Sequence, residues 1–210
     1  MGEAPPRSSA PHSGGQGTGR GAMTRERILD AASVLFYENG IHEISGDRII
    51  EVVGVSKVTF YRHFRTKEDL VVAFLEQRSL IEREAFEGAY VQTGNDAMAT
   101  LDLLAVGIGA ESCRPGFRGC PFINAAAEYA DRDSPVRLVI DRHRAWMLSF
   151  FRRLLSELDV ARLDDATDAA MVLRDGAMVS GYLTDARAVA GTLTTMFHAL
   201  VAAYRQRSGE

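Results

Sequence analysis

The chain has 210 residues and a mass of 23.0 kDa, enough to bury a core in one elongated body or two small domains. Its 46% hydrophobic and 25% charged residues are those of an ordinary globular protein, and no apolar run approaches the ~20 residues of a membrane span. The formal charge of −4 excludes a uniformly basic nucleic-acid coat but not a local basic patch, because phosphate contact is a local matter. No apolar secretory segment opens the sequence, so a cytoplasmic protein without a membrane partner is expected. Residues 1–22 are rich in Gly, Pro and Ser and carry no periodicity, which predicts a disordered arm. Its Arg7 and Arg20 either brush the phosphates or minor groove of a nucleic acid or belong to an inert tail. A first helix is expected from Thr24 to Gly40, where Ile28, Ala31, Ala32, Leu35 and Phe36 recur at helical spacing.

The stretch from Ser45 to Leu70, SGDRIIEVVGVSKVTFYRHFRTKEDL, reads as two short helices around a glycine turn. Ile49, Ile50 and Val53 give the first an apolar face. Gly54 stands where that helix must end with a positive φ. Ser56 caps the second helix, which Val58, Phe60 and Phe64 are expected to anchor inward. Lys57, Thr59, Tyr61, Arg62 and His63 are left on outer faces. A helix, a tight turn and a second helix with a polar outer face is the plan of a helix-turn-helix, whose second helix enters the major groove. Between Gly54 and Lys67 lie Lys57, Arg62, Arg65 and Lys67 with no acid, and the chain's two lysines are both here.

Thr66 then opens a helix to about Ala89 with a T-x-x-D capping box. Asn95 or Asp96 caps another helix, carrying Met98, Leu101, Leu104 and Ile108. After the loop Cys113–Pro121 comes a short helix over Phe122–Ala130. Ser134 and Pro135 start a long helix to about Leu158, with Val139, Trp146, Phe150 and Leu154 in one apolar line. Two helices close the chain, at Asp164–Gly181 and Asp185–Arg207. The first offers small residues, Ala169, Gly176, Ala177 and Gly181, which admit a close partner helix. The last repeats Val189, Leu193, Met196, Phe197, Leu200 and Tyr204 at steps of three and four, an apolar stripe too long for a soluble monomer to expose. No strand-like alternation stands out, and the chain reads as all-α.

The segment GVSKVTFYRHFRTKEDL closely resembles the recognition-helix signature of the TetR family of bacterial transcriptional regulators, with Gly54, Val55, Ser56, Thr59, Tyr61, His63, Phe64, Lys67 and Leu70 in register. The preceding TRERILDAASVLFYENG resembles that family's first helix. The likeness is strong over residues 24–72 and weaker beyond. Val58 departs from a usually small residue, and Ser45 from a usual Thr. The resemblance implies a helix-turn-helix domain over 23–68 and a helical ligand-binding and dimerisation domain over 69–207. The expected DNA-binding set is Ser45, Arg48, Ser56, Lys57, Val58, Thr59, Tyr61, Arg62, His63 and Lys67. It also implies a homodimer on a double-stranded, palindromic operator, with a fourth helix that transmits the binding of a small apolar or amphipathic effector and releases the DNA.

RGCPFINAAAE (Arg118–Glu128) resembles a segment that starts the pocket-facing sixth helix in a subset of the family. A ligand pocket is expected from Phe122, Asn124, Glu128, His143, Trp146, Met147, Phe150, Met171, Asp175 and Met178, since aromatics and thioethers suit bulky apolar molecules. The other reading is a packed core in which His143 is hydrogen-bonded and Asn124 and Glu128 are surface polars. The dimer interface is expected at Leu173, Gly176, Ala177, Val189, Leu193, Met196, Phe197, Leu200 and Tyr204. Cys113 and Cys120 read as free thiols, with a thiol redox regulator on the same scaffold as the alternative. A zinc site lacks suitably spaced ligands, and no cofactor is expected. A cysteine hydrolase using Glu128 and His143 is the rival from another class, without an oxyanion hole or nucleophile turn to support it.

Overall fold

The computed structural model describes residues 16–205. In chain order its helices are α1 (Gln16–Asn39), α2 (Gly46–Val53), α3 (Lys57–His63), α4 (Lys67–Gln92), α5 (Ala97–Ser112), α6 (Pro121–Glu128), α7 (Pro135–Ser156), α8 (Leu163–Leu183) and α9 (Val189–Tyr204), with one 3-10 turn at Ala186–Ala188. Among the described residues there is no strand beyond one isolated bridge between Val160 and Arg205, and no helix is long and apolar enough to cross a membrane.

The first three helices close around one apolar centre. Ile28, Ala32 and Phe36 of α1 are four apart and buried, and Ile49, Val53, Phe60 and Phe64 meet them. Ser45 caps α2 by accepting from the Arg48 amide, and Gly54 ends it at φ 71°. Ser56 caps α3 through the Thr59 amide. Arg27 donates to the Val53 carbonyl at 2.9 Å, fixing the end of α2 on α1. Two expectations need correction. Helix α1 begins at Gln16, so residues 16–22 of the expected arm are helical, with Arg20 exposed; residues 1–15, including Arg7, lie outside the described residues. Val58 is not an inward anchor but 78% exposed. It precedes Phe60 by two positions, about 200° around a helix, and therefore faces away from the core.

The capping box of Thr66 and Asp69 starts α4, which is about 39 Å long. Its first half, with Leu70, Val71, Phe74 and Leu75, packs on the tip, and its second half, with Phe86 and Ala89, enters the body. There α4, α5, α7, α8 and α9 form the helical body. Gly109 permits the crossing of α5 and α9, since a Cβ there would meet the Ala190 Cβ at 2.6 Å. Gly181, one of the small residues expected to admit a close partner helix, admits α5 of the same chain: a Cβ there would stand 2.7 Å from the Ser112 Cβ.

Candidate functional site

Helix α3 presents Lys57, Val58, Tyr61 and Arg62 to solvent on one face, with Arg65 exposed just beyond. Lys57 and Tyr61, like Val58 and Arg62, are four apart, so these side chains make one contiguous surface. Ser45 and Ser56 are exposed but hold their helix caps. The Ser56 hydroxyl also lies 2.9 Å from that of half-buried Thr59. Arg48 pairs with Glu51 at 2.7 Å. Sequence distance hid one acid: Asp47 on α2 sits 2.9 Å from the Lys57 ammonium and raises its pKa by hydrogen bond and charge. His63 is half-buried, with Nε2 enclosed and unpartnered among the described residues. Lys67 donates to the His42 carbonyl at 3.4 Å, and burial lowers its pKa against the pull of Glu128 and Glu43.

A cavity of about 570 Å³ opens between α4, α5, α8 and the 113–121 loop, within the size range of small-molecule sites. Phe86, Ala89, Leu103, Leu104, Ile108, Phe117 and Met178 give it apolar walls, and Arg78, Glu82, Glu84, Glu111, Arg114 and Arg174 its charges. Of the ten residues expected to form the pocket, Met178 alone lines this cavity. Trp146 is half-buried one ring behind it, 5.8 Å from Phe86 and under the Arg83 guanidinium at 5.1 Å. Met147, Phe150 and Met171 are core residues. The face of α7 that reads as pocket lining packs against α4 and α8 instead, so the apolar line is filled.

His143 is also a core residue, 2% exposed and stacked on Phe122 with ring centroids 3.7 Å apart. Its Nδ1 lies 3.0 Å from the Ser79 hydroxyl and its Nε2 3.3 Å from Glu82. Glu82 in turn accepts from Arg174, whose guanidinium also reaches Asp175 at 3.2 Å and the Cys120 sulfur at 3.3 Å. Asp175 takes a second bond from Arg144 at 2.8 Å. Burial by itself would raise the Glu82 carboxyl, but Arg174 and His143 outweigh it and hold it at about 2. Sequence reasoning missed this network. The available signal was Arg174 itself, a cation spaced three from Met171 and four from Met178 on an inward face.

Asn124 and Glu128 do not join His143. Exposed Asn124 donates to the Arg118 carbonyl at 2.8 Å. Glu128 accepts from the amides of Ile41 at 2.9 Å and His42 at 2.6 Å, while the His42 Nε2 lies 2.7 Å from the Glu128 carbonyl oxygen. Glu128 therefore ties the α1–α2 loop to α6. The proposed hydrolase constellation is not assembled, and Cys113 is exposed while Cys120 is buried.

Residues 28–74 match the family described as bacterial regulatory proteins, tetR family. The chain is 41% identical over 71 residues to the HTH-type transcriptional regulator UidR of Escherichia coli (strain K12), a stretch that covers 32% of this chain and 36% of that protein. Over the whole body, SCO4454, a TetR-family transcriptional regulator from Streptomyces coelicolor, superposes with a TM-score of 0.83 at 34% identity, covering 88% of this chain and 97% of that one. The chain belongs to the TetR family. A second structure, a putative TetR transcriptional regulator (sav143) from Streptomyces avermitilis, shares the fold at 24% identity with a TM-score of 0.76, over 86% of this chain and 97% of that one. This TetR-family chain is thus a helix-turn-helix, DNA-binding transcriptional regulator with a helical C-terminal domain.

The α8–α9 face of this regulator differs from the expected stripe. Val189, Leu193, Phe197 and Leu200 are buried within the chain, and Phe197 meets Phe151 at 6.0 Å. Tyr204 is half-buried, with Arg162 over its ring. The apolar period of α9 therefore marks its own core face. Leu173, Gly176, Ala177, Val189, Leu193 and Met196 line a groove of about 340 Å³ between α8 and α9. Val172, Val179, Leu183 and Met196 stand exposed around or beside it, and a Cβ on Gly176 would meet nothing within 4 Å.

Proposed function

We propose that this TetR-family regulator is a homodimeric repressor, released from a palindromic operator by a small amphipathic effector held in the 570 Å³ cavity. The cavity's reach to the DNA-binding tip carries the reading. Tyr37 of α1 lines it, and so does the loop at Gly119, whose carbonyl accepts the Tyr37 hydroxyl at 2.9 Å. An occupant that binds better when this contact is displaced shifts the tip relative to the body, and only such a differential affinity moves the equilibrium. The groove between α8 and α9, with Val172 and Met196 at its edges, supports a self-complementary interface to a second copy. Lys57, Val58, Tyr61 and Arg62 enter the major groove in this reading, with Lys67 on a phosphate.

Selection from random duplex DNA followed by footprinting tests it. The expected product is an inverted repeat with half-site centres ~34–36 Å apart, or one turn more. Enrichment of a single unrepeated half-site would refute the dimeric repressor. The thiol alternative gains one observation, the Arg174 guanidinium at the Cys120 sulfur. It requires operator binding that changes between reducing and oxidising conditions and ceases to change in Cys120→Ser.

A further inference from the structure

We propose that the effector is an organic anion with a long apolar body, whose anionic head is held by Arg78 where the large cavity meets a smaller one beside the DNA-binding tip. The inference rests on the effector reading above and adds the ligand's chemical class and polarity. Arg78, on α4, lines both the 570 Å³ cavity and a neighbouring one of about 240 Å³. The smaller cavity is walled by Ser33, Val34 and Tyr37 of α1, by Phe74, and by the 114–117 loop.

Charge bookkeeping singles out Arg78. Arg114 is held by Glu111 at 2.9 Å, and Arg174 by Glu82 and Asp175. Those pairs also satisfy Glu82 and Glu111, the acids closest to the cavity's cations. Glu38 and Glu84 stand on the exposed rims. Half-buried Arg78 has no hydrogen bond or ion pair among the described residues, so the uncompensated inner charge of the joined cavities is positive. A neutral occupant would remove water from this half-buried guanidinium and return at most an uncharged hydrogen bond, which is unfavourable for a partly desolvated charge. A cationic one would be repelled. A carboxylate restores the lost hydration with charge-assisted, two-pronged hydrogen bonds. The tail then lies along Phe86, Leu104 and Ile108, away from the tip. The head comes to rest against Tyr37, so binding and release of DNA meet at one side chain.

The test measures binding of decanoate, decanol and decyltrimethylammonium to the full chain by calorimetry, in the wild type, Arg78→Gln, Arg78→Lys and Gly107→Phe. Gly107 is an exposed residue of the cavity wall, and a Cβ there meets nothing within 4 Å, so a ring can be added at the wall without displacing the core. Decanoate should bind at least about tenfold more tightly than decanol, as a charge-assisted hydrogen bond implies. Arg78→Gln should abolish that preference while leaving decanol within about twofold, and Arg78→Lys should retain part of it. Gly107→Phe should weaken decanoate and decanol alike. Equal affinities for the three probes, or decanoate binding unaltered in both Arg78 variants, would overturn the anion assignment while the cavity reading stands. If no probe binds, or if Gly107→Phe leaves binding intact, the cavity is not the site, and the effector reading fails with this one.

Discussion

Replacing Glu82 with Gln isolates the buried charge network from the rest of the protein. Its side chain is 20% exposed and that of Arg174 only 3%, so water screens the pair weakly. The folded carboxyl stands at about 2 against an ordinary value of 4.5. That depression contributes about 3 kcal/mol, at roughly 1.4 kcal/mol per pKa unit. Because the folded value is depressed, the contribution is complete above pH 4.5 and is lost as pH falls through 2. Urea unfolding of wild type and Glu82→Gln, at one fixed protein concentration, should therefore differ by about 3 kcal/mol at pH 7 and converge towards pH 2. Carboxylates outside this network titrate in both proteins and cancel in the difference. Asp175 still faces Arg174 in the variant, which keeps the loss at the lower end of the ~3–5 kcal/mol for breaking a buried pair. A gap that stays constant down to pH 2.5 would show that the Glu82 charge contributes nothing and that the variant suffers from packing alone. Glu82→Leu combined with Arg174→Met should recover most of the loss, since the cost lies in a buried guanidinium left with Asp175 alone.

Lys67→Ala should weaken binding to all duplex sequences about equally and reduce the slope of log K against log salt by roughly 1; an unchanged slope would place this lysine off the phosphates. Val172→Glu with Met196→Glu should yield folded monomers by sedimentation, because both side chains already face solvent; a persistent dimer would move the interface off the α8–α9 groove. Phe197→Ala, by contrast, should cost about 3–5 kcal/mol in stability, as the ring is wholly buried against Phe151. Trp146→Phe should leave effector affinity within about twofold where Gly107→Phe weakens it, since the indole stands behind Phe86 rather than in the cavity; a parallel loss would return Trp146 to the site.

The tip was legible because its signals are local. A serine cap, a glycine at positive φ and two phenylalanines four apart each act within one helical turn, and together they specify α2, α3 and their angle. The boundaries of α4, α5 and α7 were legible for the same reason, through Thr66, Asp96 and Ser134. Lines of apolar residues were misleading. Periodicity reports that a helix has an inward face but not what lies opposite it, and on α7 and α9 the opposing surface is the chain itself. The cavity follows from the opposite condition. It forms where Gly88 and Gly107, whose Cβ positions meet nothing, leave α4 and α5 incompletely filled. An absent side chain has no periodic signature. Val58 illustrates the remaining difficulty: hydrophobicity predicted burial, whereas its angle relative to Phe60 decides exposure.

The tip and the body are joined by more than α4, the transmitter that the family resemblance implied. Helix α6 spans about 12 Å and has one end at each site. Pro121 at its start lines the large cavity, and Glu128 at its end holds the amides of Ile41 and His42. One residue before α6, Cys120 meets Arg174, which lines the same cavity. A carboxylate accepting two consecutive amides is a charge-assisted contact with narrow geometric tolerance, so it holds or breaks rather than stretching. The Tyr37 hydroxyl makes the second such joint, donating to the Gly119 carbonyl and accepting from the Arg118 amide at 2.9 Å each. Both joints attach the loop and α6 to α1 or to the turn that follows it. The body therefore grips the tip at the two ends of one short helix, and a displacement at either end reaches α1 without bending α4. In the proposed release by an effector, helix α4 fixes the distance between cavity and DNA surface, and α6 with its loop supplies the contacts through which the two would move together.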